Sequence, residues 1–127
     1  MQEQLLFEYA VIRVVPKVER EEFLNVGVIL FCAKQKFLEA RCLLDEERLG
    51  ALCCDLDFEE LKHHIHSFER ICRGGDDAGT IGRLSMAERF RWLTATRSTI
   101  LQTSKVHPGL CDDAEEMLAR LYRQLVL

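Results

Sequence analysis

An arginine stands inside the first apolar run of this chain. In the stretch YAVIRVVPKVEREEFLNVGVILFC, residues 9–32, Arg13 interrupts a segment that is otherwise apolar on both alternating faces. A guanidinium keeps its proton at physiological pH, so in such a strand it must be paired or must reach an opening. Two chemistries follow. In one, Arg13 locks the first hairpin by an ion pair to Glu19, Glu21 or Glu22; in the other it is an anion clamp at the mouth of a sheet. Arg20, Glu22 and Asn25 bracket the entry to the next apolar run. Glu22 and Asn25 could bring a carboxylate and an amide to one pocket, the minimum for holding a polar small molecule or for general-base work. The same residues also read as a solvated, charged turn.

A second cluster lies in ERFRWLTATRSTILQTS, residues 88–104, where Arg89, Arg97, Ser98, Thr99, Gln102 and Ser104 offer two guanidinium forks with hydroxyl and amide groups. Arginine beside serine and threonine near a strand start is a workable binder of phosphate or carboxylate. The alternative is a helix face making ion pairs to the acidic half of the chain. No GxxxxGK[ST] or GxGxxG loop accompanies the cluster, so a nucleotide fold of those kinds is unsupported and no cofactor is implied. Trp92 reads as partly core. His63 and His66 share a helix face, with Glu59 one turn earlier, but no further pair at a recognised spacing completes a zinc set, and no metal is assigned. The vicinal Cys53–Cys54 has no basic neighbour in sequence to lower its pKa and reads as structural.

The elements that must position these residues follow from length and pattern. The 127 residues make one domain spanning 1–127, with 48% hydrophobic and 30% charged residues, a globular balance. No apolar run reaches the roughly 20 residues of a membrane helix, and the start MQEQLLFEY lacks the basic flank and long apolar core of an export signal. Six cysteines stand without a CxxC pair, and Cys32, Cys42, Cys53 and Cys72 fall on apolar faces, which points to reduced thiols and a cytoplasmic setting. The formal charge is −4: residues 1–60 carry 7 Lys/Arg against 13 Asp/Glu, whereas Arg83–Lys105 carries five basic residues against Glu88 alone. An acidic protein with one basic segment is a poor nucleic-acid binder.

Leu5–Val15 and Asn25–Cys32 read as two strands buried on both faces, hence central, with Gly27 as a bulge or a place of close backbone approach. Phe37–Leu44 alternates and completes an antiparallel meander. Asp45 caps a short helical turn; Asp57 with Glu60 opens a helix carrying Phe58, Leu61, Ile65, Phe68 and Cys72 inward, stopped by Gly74 and Gly75. Residues 76–82 show no periodicity and read as a loop. Ser85 with Glu88 starts a helix with Met86, Phe90 and Leu93 inward. Thr99–Val106 reads as a fourth strand ended by Pro108 and Gly109, and Asp112 with Glu115 opens a last helix. The expectation is an α+β fold: a mostly antiparallel sheet of about four strands with helices packed against it.

Taken together, YAVIRVVP, the R-x-E-F-x-N-V-G-V-I-L-F-C stretch, ERFRWLTATRS, ILQTS and the RLYRQLV near the C-terminus resemble a bacterial family catalogued as domain of unknown function 3037. The resemblance spans about Tyr9 to Val126. Its pattern falls on Arg13, Pro16, Arg20, Glu22, Asn25 and Gly27, then on Arg89, Phe90, Leu93, Arg97, Ser98, Gln102 and Ser104. Where members carry a proline in the L-T-A-P-R stretch, this chain has Thr96, so the turn there is less rigid. The resemblance brings no catalytic assignment. It implies a bacterial, cytoplasmic accessory protein of the kind found beside kinase-like proteins related to the HipA toxins.

Two functions follow as expectations. The first is a non-enzymatic binding or partner-protein module, with a HipA-like kinase-related protein as candidate partner and a homodimer through a sheet edge or the last helix as a further possibility. The second is an enzyme or ligand binder for a phosphorylated or nucleotide-like anion. There Arg13, Arg20, Arg89 and Arg97 hold the anion, Glu22 is the base, Asn25 and Gln102 orient the substrate, and Ser98 and Ser104 complete the site. No membrane contact is expected.

Overall fold

A strand apolar on both faces needs a layer on each side, and the computed structural model, which describes residues 4–97 and 99–127, provides both. Strand β1 (Leu5–Val14) pairs with β2 (Leu24–Cys32), and β2 with β3 (Phe37–Cys42), all antiparallel. On its other edge β1 pairs with β4 (Leu101–Thr103) along residues 12–14 and with β5 (His107–Cys111) along residues 5–9. β1 is thus the centre of the sheet. Val11 falls in the gap between β4 and β5, and Ser104 closes it: its backbone N–H donates to the Val11 carbonyl at 2.8 Å and its Oγ accepts from the Val11 N–H at 2.8 Å.

Alternation sends Ala10, Ile12 and Val14 to one face, against helices α1 (Glu46–Leu52), α2 (Phe58–Arg73) and α4 (Met86–Leu93). Phe7, Val28, Leu30 and Cys32 point to the other face, against α5 (Ala114–Leu125) through Ala114, Leu118 and Leu121. The parity of β2 changes at a bulge. Ile12 pairs with Gly27 and Arg13 with Asn25, which leaves Val26 as the extra residue. Gly27 borders that bulge and is the place of close backbone approach, since a Cβ there would lie 2.6 Å from Cys42 Sγ and 2.8 Å from the Arg41 carbonyl.

Local chemistry sets the helix starts. Asp45 accepts from the N–H groups of Glu47 and Arg48, and Asp57 from that of Glu60. Ser85 and Glu88 form the full reciprocal capping box. The last helix starts one residue later than the sequence implies: Asp113, not Asp112, is its cap, accepting from the Glu116 N–H. Gln35, in the β2–β3 turn, selects it by donating to the Asp113 carboxylate and accepting from the Ala114 N–H at 2.7 Å.

Two other expectations are corrected. Residues 76–82 are not an irregular loop: Asp76–Ala78 is a 3₁₀ turn and Gly79–Gly82 is a short helix, α3. Pro108 and Gly109 do not end the sheet but lie within β5. Pro108 is tolerated because, among the described residues, β5 pairs only with β1 and is an edge. Gly109 packs under the Phe7 ring, 2.6 Å from where a Cβ would be. No helix among the described residues is long and apolar enough to cross a membrane.

Four thiols lie against these cores: Cys32, Cys72 and Cys111 are buried and Cys42 is half-buried, whereas Cys54 is exposed. Burial, with help from Glu69, pushes the Cys42 thiol up to about 12; burial, then Cys42 and Glu69, does the same to Cys72. The folded chain therefore holds these protons where the unfolded chain, with thiols near 9, releases them. Stability is expected to fall as pH rises from about 9 towards 12, and maleimide at pH 8 is expected to modify Cys54 well before Cys42 or Cys72. Urea unfolding across that pH range and mass-mapped labelling measure the two effects.

Candidate functional site

The strand register brings three of the sequence candidates together. Arg13 sits between Asn25 of β2 and Gln102 of β4, each directly opposite it. The three share the sheet face on which α5 packs, at the end of β1 away from β5. Asn25 Nδ2 donates to the Leu125 carbonyl at 3.2 Å, and Gln102 Nε2 donates to the Thr99 carbonyl at 2.8 Å. The expected ion pair of Arg13 with Glu19, Glu21 or Glu22 is not formed. Glu22 pairs with Arg20 instead, and the Arg13 guanidinium lies on the Phe23 ring, 4.0 Å from its centroid. Burial pulls the Arg13 pKa down from its usual value.

The other candidates lie elsewhere. Arg20 and Glu22 line a cleft of about 320 Å³ between the β1–β2 connection and the end of α1, with Lys17, Cys53 and Cys54. Arg89 is buried within the α2–α4 layer, on the opposite side of the sheet from Arg13, and packs against Gly74. Ser104 serves the strand gap. Ser98 lies outside the described residues. The four arginines thus do not share one recess. Arg13 and Arg89 are separated by the sheet itself, which alternate residues of β1 face from opposite sides.

A third location draws on the second sequence cluster. Helices α2 and α4 with β4 enclose a slot of about 190 Å³ floored by Phe68, Ile71, Leu93 and Leu101. At its mouth stands Trp92, 39% exposed. Arg97 Cζ lies 4.0 Å from the Trp92 ring centroid, and Arg97 Nη2 donates to the Trp92 carbonyl. The stacked arginine holds the indole in place while keeping its own charge at the rim. Sequence reasoning placed Trp92 partly in the core but did not reveal the slot. Its floor joins residues 68 and 71 to 93 and 101, and only the docking of α2 on α4 brings them together.

The histidine face is solvated: His63, His64 and His66 are exposed, and His64 Nε2 lies 3.6 Å from Glu60 Oε1. Among the described residues no three His, Cys, Asp or Glu side chains are placed to hold a metal ion. Cys54 donates from its thiol to Asp55 Oδ1 at 3.1 Å, which, first among its causes, raises its pKa and lowers its nucleophilic fraction.

No curated protein and no solved structure matches this chain. A family does. Residues 9–126 match the family described as "protein of unknown function (DUF3037)", a span that includes β1 from Tyr9 onward, the bulge beside Gly27, the Arg13–Asn25–Gln102 row and the Trp92 slot. The chain belongs to that family.

Proposed function

We propose that this chain is a non-enzymatic binding module that takes a segment of a partner protein into the slot between α2, α4 and β4. The observation that carries this reading is Trp92: the chain's single tryptophan stands 39% exposed at the mouth of an apolar slot, braced by Arg97. Exposed tryptophan and arginine at a concave apolar site are the residues that dominate protein interfaces. About 190 Å³ suits one apolar side chain of the partner rather than a metabolite. Charge defines the rest of the ligand. Arg83–Lys105, the segment that includes the slot's rim, has five basic residues against one acid, so the inserted side chain is flanked by Asp or Glu. A HipA-like kinase-related protein, the partner that family resemblance suggests, is the first to test.

Tagged wild-type chain and the variants Trp92→Ala and Arg97→Glu, with Arg73→Glu on the outer side of α2 as charge control, are compared for the proteins they retain from the native host. The two slot variants are expected to lose the wild-type partner by about 30-fold, the scale of a hot-spot residue, while the control keeps it. Equal retention by all four would remove the reading. The homodimer reading draws support from Leu6 and Leu110, strand partners that are 61% and 59% exposed. Against it, Pro108 in the same edge strand has no N–H to give to an added strand.

A further inference from the structure

Among the described residues nothing accepts a hydrogen bond from Arg13. No carboxylate among them pairs with it, and its Nε is closed off from solvent without a hydrogen-bond partner. This is not for want of neighbours. Glu19, Glu21 and Glu22 follow within ten residues, yet Glu22 goes to Arg20 and the other two stay exposed. Nor does Arg13 cap α5. Of the carbonyls at that end of the helix, Leu125 is taken by Asn25 and Val126 by Arg48 Nη1 at 3.0 Å. A guanidinium held partly out of water without a counter-charge is costly, and an ordinary structural arginine in this place would have found one of those glutamates.

The surroundings fix the group rather than neutralise it. Phe23, itself 46% exposed, supports the guanidinium plane. Asn25, directly opposite in the sheet, has its amide oriented by the bond from Nδ2 to Leu125; its Oδ1 is therefore the free end, buried and also without a partner. Arg13 Nε and Asn25 Oδ1 are thus two unpartnered polar atoms on residues paired directly across the sheet. With Nε closed off and the ring beneath, the two Nη atoms form the edge that remains open, a planar two-pronged donor. That edge takes a carboxylate or a phosphate by two parallel N–H···O bonds, and the exposed apolar ring next to it favours the carboxylate that carries an aliphatic chain. The chain beyond that carboxylate can fold back onto the exposed Phe23 ring.

We propose that Arg13, on its Phe23 platform and opposite Asn25 in the sheet, binds a carboxylate that bears an aliphatic chain. The site lies on the α5 side of the sheet and does not depend on the Trp92 slot.

The test uses the full chain labelled with ¹⁵N, following the Nε–Hε signal of Arg13, assigned by its loss in Arg13→Lys. Acetate, hexanoate, inorganic phosphate and chloride are titrated at constant ionic strength. Hexanoate is expected to shift the signal saturably at a lower concentration than acetate or phosphate, while chloride leaves it in place. Asn25→Asp places a carboxylate of the protein's own opposite the guanidinium; it is expected to weaken the hexanoate response at least about tenfold. The source of the natural carboxylate is separated by a short glutamate-containing peptide alongside free hexanoate. The proposal is overturned if no carboxylate shifts the signal, if phosphate does so as well as hexanoate, or if Asn25→Asp responds like wild type. Should Arg13→Lys not fold, the signal is assigned through Asn25→Asp and Phe23→Leu, and the same outcomes decide.

Discussion

Gly27→Ala is expected to cost the protein about 3 kcal/mol, seen as a fall of about 10 °C in melting temperature for a chain of this size. The new methyl would sit 2.6 Å from Cys42 Sγ and 2.8 Å from the Arg41 carbonyl. The sulfur belongs to a side chain and can turn. The carbonyl is backbone of the neighbouring strand, so relief requires β3 to move away from β2 at their pairing of Gly27 with Cys42. Movement there also disturbs the bulge that places Asn25 opposite Arg13. The companion variant Cys42→Ala removes only the first clash, and in the Gly27→Ala background it is expected to restore less than half of the loss. Thermal unfolding of the single and double variants measures both. Full recovery in the double variant would mean that the strand backbone yields freely.

Gly74→Ala comes next, at about 2–3 kcal/mol, and for two separable reasons. Gly74 ends α2 at φ 74° and ψ −176°, a conformation that essentially only glycine adopts. Its absent side chain also makes room for Arg89, whose Nη1 would lie 2.0 Å from a Cβ. Arginine tips normally swing aside, but Arg89 is 7% exposed and packed between α2 and α4, so it can leave only by opening that layer. Replacing Arg89 by Met keeps the stem and removes the clashing head. In a double-mutant cycle followed by urea unfolding, Gly74→Ala is expected to cost less in the Arg89→Met background than in wild type, the remainder being the backbone strain. Strict additivity would show that Arg89 and Gly74 do not feel each other.

What could be read from sequence was what is decided locally. Ser85, Asp57 and Asp45 announce their helices because a cap and its target lie three residues apart. The two-faced apolar runs around Arg13 and Gly27 demand cover on both sides wherever they sit. The misreadings are long-range. Pro108–Gly109 has the chemistry of a turn, and only the Phe7 ring and the edge position explain its place in a strand. Asp112 and Asp113 each have a glutamate three residues on, and a glutamine 78 residues before Asp113 chooses between them. Arg13 was recognisable as an anomaly, and its register with Asn25 and Gln102 depends on a bulge and on a strand far along the chain. Its freedom from the nearby glutamates followed from no pattern in the sequence.

The slot at Trp92 is tested most directly by a photo-crosslinking side chain built into the protein in its native host. One copy carries benzoylphenylalanine in place of Ser67, which is exposed on α2 and borders the slot; the other carries it in place of His63, exposed on the same helix and outside the slot. A defined adduct with one protein is expected from position 67, lost when Trp92→Ala is added, and none from position 63. An adduct that forms equally from both positions, or that survives Trp92→Ala, would contradict binding at the slot.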